Sequence, residues 1–290
     1  MGEADITPRD LNIFRILSSG PAQLGFIQQQ LELFKRDERS HRPEEDPDHT
    51  DIEPEEAQPS KRDEKSRQVY LARRVLIARL SQLGKSGLIA SKRYRAMTGR
   101  GVFTLYSLTP TSHDILVQDG YAREHIRMNL PHKYGVTHEL AVTGVVRSIK
   151  REAGAIHYGF SIKDENTLRS ESKNRRGRFP DLLVTINVPR SHEGAVRKVL
   201  ALEVDNSTED PAYVVAKARG LAQKKKLPSL ILCNDSRRIE ELRRKFAELG
   251  KETLRLMVFF SLLNDFTSKG FAATRWLTID GRAAEVIKSK

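Results

Sequence analysis

Arg178-Phe179-Pro180-Asp181-Leu182-Leu183-Val184-Thr185-Ile186 and Val199-Leu200-Ala201-Leu202-Glu203-Val204-Asp205 decide how this chain reads. Each is an apolar run of strand length with acids at one end. Folded back about His192, the two runs form an antiparallel hairpin that sets Asp181 opposite Glu203. Opposed residues in such a pair have Cβ atoms roughly 4.5–5.5 Å apart. Two carboxylates that close raise each other's pKa unless a cation lies between them. Glu203 and Asp205, two apart in one strand, share a face. The expectation is that Asp181, Glu203 and Asp205 converge on one point, a donor set suited to a hard divalent cation.

The chain has 290 residues, enough for two domains of ordinary size, and a net charge of +12. A basic balance of this size points to a polyanionic partner, nucleic acid above all. The stretch from Glu44 to Glu56 is acidic and lacks Lys and Arg, so the remainder is more basic than the total. No apolar run approaches the roughly 18 residues of a membrane helix. The N-terminus shows no apolar signal region, so a cytoplasmic location and no membrane insertion are expected. The single Cys233 excludes a disulfide framework and a multi-cysteine zinc site. Its apolar setting predicts a buried, inert thiol.

In the first half, Thr7-Pro8 opens a helix carrying Leu11, Phe14 and Leu17, and Leu24, Ile27 and Leu31 mark a second. From Arg36 to Ser66 the chain is Pro-, Asp- and Glu-rich with almost no apolar residues, which predicts a disordered insertion. Leu71, Val75, Leu76, Leu80 and Leu83 then predict an amphipathic helix with Arg67, Arg73, Arg74 and Arg79 on its other faces. A hairpin follows whose tip runs from Arg95 to Arg100. The stretch "RLSQLGKSGLI" with the later "YSLT" resembles the winged helix-turn-helix family. That resemblance implies a DNA-binding domain over 5–125, with the arginine-rich helix in a major groove. Lys92, Arg93, Arg95 and Arg100 of the wing would then meet phosphate or the minor groove.

In the second half the order is helix, strand, the acidic hairpin, a helix begun by Asp210-Pro211, then further strands and helices. With Pro180-Asp181 entering one strand and Glu203 on the next, this resembles the PD-(D/E)XK restriction-endonuclease-like fold, here over 132–285. The chain as a whole is therefore expected to be α+β. The resemblance implies that Asp181 and Glu203 hold Mg2+ or Mn2+ for phosphodiester cleavage. Such nucleases usually carry Lys two residues after the Glu. Here that place holds Asp205, and Lys217 in the next helix is the candidate replacement. Arg175, Arg176 and Arg178, just before Asp181, are candidate contacts to the scissile strand. Tyr213, one turn before Lys217, is expected to pack, and Glu139 to lie at the surface.

The combination of "TPRD", "YSLT", His138 with Leu140 and Val142, "RFPDLL" and "LEVDNSTED" resembles the replication-relaxation family, which includes MobC-type plasmid relaxases. This implies a metal-dependent nickase acting on double-stranded, supercoiled plasmid DNA at a transfer or replication origin (the nic site). A relaxosome or coupling protein would be a further partner. The rival reading is a noncatalytic DNA-binding replication or mobilisation accessory, or a regulator, with a degenerate nuclease core. Asp205 in the usual Lys place favours that rival.

Overall fold

The structure is a computed structural model and describes residues 6–40, 61–95, 101–123, 126–127, 135–156, 159–172, 177–190, 194–207, 209–250 and 252–286. The chain divides into two compact units, Met1–Leu130 and Pro131–Lys290, and both mix helix with strand.

The first unit runs α1 (Pro8–Leu17), β1 (Ala22–Gln23), α2 (Leu24–Ser40), α3 (Lys61–Lys85), β2 (Ile89–Arg95), β3 (Val102–Leu108) and α4 (Pro110–Gln118). Thr7 caps α1 in a reciprocal box with Asp10, with Pro8 in the first turn. Thr109 and Pro110 repeat the device at α4. Each such cap satisfies helix N–H groups that otherwise have no partner. Phe14, Leu17, Ile27, Leu76, Leu80 and Leu83 meet in one core. The strands pair antiparallel in the order β1-β3-β2. β1 has only two residues and no alternation to announce it.

Three expectations change here. The span 36–66 was expected to be disordered, yet α2 continues to Ser40 and α3 begins at Lys61. Residues 41–60 lie outside the described residues. Leu71 and Val75 were assigned to the buried stripe of α3, but they are exposed, as are Val69 and Tyr70. Among the described residues of the helix, Leu76, Leu80 and Leu83 of the later turns lie against the core. Arg79 was assigned to DNA, but its guanidinium pairs with Asp10, Nε to Oδ1 at 2.8 Å. The Asp10 side chain is fully buried and also accepts from the Thr7 backbone N–H at 2.8 Å. A buried carboxylate left unpaired is costly, so the arginine is held inward. Burial pushes the Asp10 carboxyl up, but Arg79 and Thr7 outweigh it and hold it below the ordinary value.

The second unit runs α5 (Val136–Ile156), β4 (Gly159–Asp164), α6 (Glu165–Glu171), β5 (Leu182–Arg190), β6 (Gly194–Asp205), α7 (Pro211–Lys224) and β7 (Ser229–Cys233). It continues with α8 (Ser236–Ala247), α9 (Glu252–Arg255), β8 (Val258–Leu262), α10 (Leu263–Ala273), β9 (Trp276–Thr278) and β10 (Ala283–Ala284). The strand expected from Ala155 starts at Gly159, because α5 runs on to Ile156. One sheet has the order β10-β9-β8-β7-β6-β5-β4. β6, β7 and β8 are parallel and the other pairs antiparallel.

Alternation along the central strands divides the core into two layers. Leu182, Val184, Leu200, Leu202 and Val204 pack with Val142, Val145 and Val146 of α5 and Phe266 of α10. Ile231, Cys233 and Phe260 pack with Val214 and Ala218 of α7 and Leu242 and Phe246 of α8. By the period of two, the odd-numbered Asp181, Glu203 and Asp205 belong to the layer of α7 and α8. Ser148 Oγ donates to the Phe266 carbonyl at 2.9 Å and ties α5 to α10.

Arg79→Ala should lower thermal stability by about 3–5 kcal/mol, because it strands a buried carboxylate. Arg73→Ala and Arg74→Ala, both at exposed positions, should leave the melt within about 0.5 kcal/mol of wild type. Urea denaturation of the three variants separates the brace from the surface arginines.

Candidate functional site

β5 and β6 pair in the register Leu182↔Leu202, so the next position sets Asp181 beside Glu203. The β6 backbone secures Asp181, whose Oδ2 accepts from the Val204 N–H at 2.7 Å. Its carbonyl accepts from the Glu165 N–H at the start of α6. On the covering helix, Val214, Lys217, Ala218 and Leu221 form the inward stripe at helical spacing. Asp210 caps this helix, accepting from the Ala212 N–H, and Pro211 occupies its first turn.

Lys217 therefore points into the sheet. Its Nζ stands 2.6 Å from Glu203 Oε2 and 3.3 Å from Asp181 Oδ1. All three side chains are buried, with exposures of 5% for Glu203 and 8% for the others. His138, in the first turn of α5, brings Nε2 to 3.5 Å from Asp181 Oδ1. Its side chain is 38% exposed, so the cluster reaches solvent there. Glu203 Oε1 is buried without a hydrogen-bond partner.

The charges are unequal. Burial raises the Asp181 carboxyl, but His138, Lys217 and the Val204 N–H outweigh it and hold it below the ordinary carboxylate value. Burial and then the neighbouring Asp181 charge push Glu203 well above its ordinary value, and Lys217 offsets only part of this. Burial pulls Lys217 down, but Glu203 and Asp181 push it up on balance, so it stays an ammonium. Burial lowers His138, and its bond to Asp181 raises it on balance. One ionised acid, one acid of raised proton affinity and a buried ammonium thus share the site.

Asp205 does not join them. Its carboxylate accepts from Arg238 of α8, at 2.6 Å from Nε and 3.3 Å from Nη2. Arg238 also donates to the Glu209 carbonyl at 2.6 Å. The expected convergence of three acids is split, because a second helix supplies a second cation over the same face. Among the described residues, no group of three or more His, Cys, Asp and Glu side chains is placed to hold a metal ion.

The replication-relaxation family model matches residues 61–223, more than half of the chain. The chain belongs to the replication-relaxation family. The matched span runs from α3 to α7 and so includes Asp181, Glu203 and Lys217. No curated protein and no solved structure matches the chain.

The other expected site residues of this replication-relaxation protein are dispersed. Arg67, Arg73 and Arg74 are exposed on α3, and Lys92, Arg93 and Arg95 are exposed on β2. Arg100, Arg175 and Arg176 lie outside the described residues. Arg178 is exposed and stacks over Tyr213, at 5.2 Å from the ring centre. Tyr213, expected to pack, is 44% exposed, and Glu139, expected at the surface, is half-buried. Cys233 is fully buried, and burial pushes its thiol far up, as an inert side chain requires. Among the described residues, no helix is long and apolar enough to cross a membrane. Sequence reasoning gave no site role to His138, and it read Arg237-Arg238 as an extension of the DNA contact or as surface charge, not as the partner of Asp205. His138 stood in a quoted motif, but nothing local linked it to Asp181. Arg238 lay in a basic pair, Arg237-Arg238, that resembles surface charge.

Lys217→Met should destabilise the unit by about 3–5 kcal/mol, because it removes the buried partner of Asp181. Glu203→Gln should be as stable as wild type or more so at neutral pH. The sign follows from the raised pKa: ionising Glu203 costs the folded state above the ordinary value of 4.5. Below that value both forms are neutral and the difference should vanish. Urea titrations at neutral and acid pH measure both effects.

Proposed function

We propose that this replication-relaxation protein is a metal-dependent nickase that cuts one DNA strand at an origin. In this reading the first unit binds duplex DNA and the second carries the cleavage site. The observation that carries it is the buried Asp181–Lys217–Glu203 cluster, with Glu203 Oε1 unpartnered. A soluble fold gains nothing by burying two adjacent carboxylates, since apolar replacements are often more stable. An unsatisfied buried oxygen also calls for a partner, and a cation or its water supplies one.

A restriction-endonuclease-like fold is supported by the antiparallel β4-β5-β6 run, the parallel β6-β7 step and the acids on β6 and at the entry of β5. A winged helix is supported by the order α1-β1-α2-α3-β2-β3 and the β1-β3-β2 sheet. The exposed Arg67, Arg73 and Arg74 would then face the major groove, and Lys92, Arg93 and Arg95 the phosphates.

Asp181 and Glu203 would hold Mg2+ or Mn2+, which when bound supplies charge neutralisation and an activated water. Asp181, held by the Val204 N–H, keeps its charge and fixed orientation. Lys217 lies between the carboxylates, within reach of an anionic phosphate bound there, and stabilises charge that develops on it. Its place on a helix serves the purpose that Asp205, held by Arg238, does not.

The rival is a DNA-binding replication or mobilisation accessory without cleavage. The specific observation in its favour is that Lys217 already neutralises part of the acidic pair. Supercoiled plasmid carrying the cognate origin, incubated with and without Mg2+ or Mn2+, decides between them. Wild type should nick only with metal. Asp181→Asn and Glu203→Gln should each reduce nicking by about 10²-fold or more, the scale of losing a transition-state electrostatic group. Both should bind duplex origin like wild type. Absence of nicking by wild type with either metal, alongside normal binding, would establish the accessory reading.

A further inference from the structure

A groove of about 620 Å³, with Lys217 in its wall, opens between α7 and residues 177–179. Arg178, Lys217, Arg219 and Lys225 line it, with no Asp or Glu among the described lining residues. A second groove, over α8, mixes Arg237, Arg238 and Arg244 with Asp235, Glu240 and Glu241. The first groove is therefore selectively cationic rather than merely part of a basic surface. Lys217 is spent on Asp181 and Glu203. The other three have no carboxylate partner among the described residues.

Aromatic rings hold two of these cations. The Arg178 guanidinium lies 5.2 Å from the centre of the Tyr213 ring, and the Lys225 ammonium 4.9 Å from that of Phe179. Arg219 donates from Nε to Gln223 at 3.1 Å. A ring fixes the direction of a cation without neutralising its charge. The charges thus stay available to an anion, and Tyr213, 44% exposed, stands next to the groove with Arg178 over one face of its ring. Cations along a groove with a partly exposed aromatic ring at its edge suit unpaired nucleotides: phosphates meet the charges and a base stacks on the ring face that Arg178 leaves uncovered. A duplex hides its base faces and has no use for the ring.

We propose that this groove binds single-stranded DNA, with Arg178, Arg219 and Lys225 on phosphates and the Tyr213 ring under a base. The inference rests on the cleavage reading for its biological sense, because Lys217 forms a wall of the groove and also reaches the acidic pair. It names the substrate state at that site, a strand already melted from its partner.

The test uses the full chain in metal-free buffer with a chelator, so that binding is read without cleavage. Fluorescence anisotropy follows a labelled single strand and the duplex of the same sequence. The triple change Arg178→Ala, Arg219→Ala and Lys225→Ala should lower the salt slope for single strand by about 2, at roughly 0.7 per phosphate. Tyr213→Ala should weaken single-strand binding about 5- to 150-fold, the range of one lost stacking contact, and Tyr213→Phe should retain it. Duplex binding should stay within a few fold throughout. In wild type, an iodouracil-substituted strand should photocrosslink to the peptide containing Tyr213. An unchanged salt slope in the triple variant, an equal loss in Tyr213→Phe, or crosslinks confined to the first unit would overturn the proposal. The two readings fail separately. Groove variants that lose single strand while wild type never nicks would leave the groove standing and remove the nickase. Metal-dependent nicking with unaltered single-strand binding in the variants would do the reverse.

Discussion

The ammonium of Lys217 between Asp181 and Glu203 is the interaction on which the second unit turns. Two carboxylates brought together by hairpin register cannot both ionise in a buried setting without a nearby positive charge. The helix that supplies it must therefore turn the face with Lys217 toward the sheet. Val214, Ala218 and Leu221 set that rotation by packing on the same stripe as the lysine. The Asp210 cap and Pro211 set where the helix begins. Packing and electrostatics thus fix the same element independently.

Much of this was legible in the residues. The hairpin register followed from two apolar runs and the symmetry of the turn, because a slip of one residue would put every buried side chain on the wrong face. The helix starts at Pro8 and Pro211 were legible from a capping residue followed by proline. Lys217 also left a signal, a cation on an otherwise apolar stripe. Elements without a period were missed: β1 has two residues and β10 two, too short for any alternation. The partners of Arg79 and Arg238 lie 69 and 33 residues away, distances at which charge pairing leaves no local trace. The exposed Leu71 and Val75 misled for a complementary reason. Periodicity shows which face of a helix is apolar, but not how far along the helix its neighbours extend.

Asp205 is the instructive departure. By spacing alone it shares a face with Glu203, and the simplest outcome was a third ligand. The sheet instead lays two helices over that face, and each contributes one cation: Lys217 from α7 and Arg238 from α8. The two cations suit different tasks. A guanidinium is always charged and presents a rigid fork, so Arg238 can grip Asp205 with two nitrogens and still reach the Glu209 carbonyl. That makes it a clamp joining β6, the following loop and α8. An ammonium is compact and turns freely, so Lys217 can serve two carboxylates and can transfer its attention to a bound anion. Exchanging the two residues would leave the fork without a planar partner at Glu203 and the point charge unable to span Asp205 and the loop. The charge of Asp205 is thus balanced by α8, separately from the pair of acids that Lys217 serves.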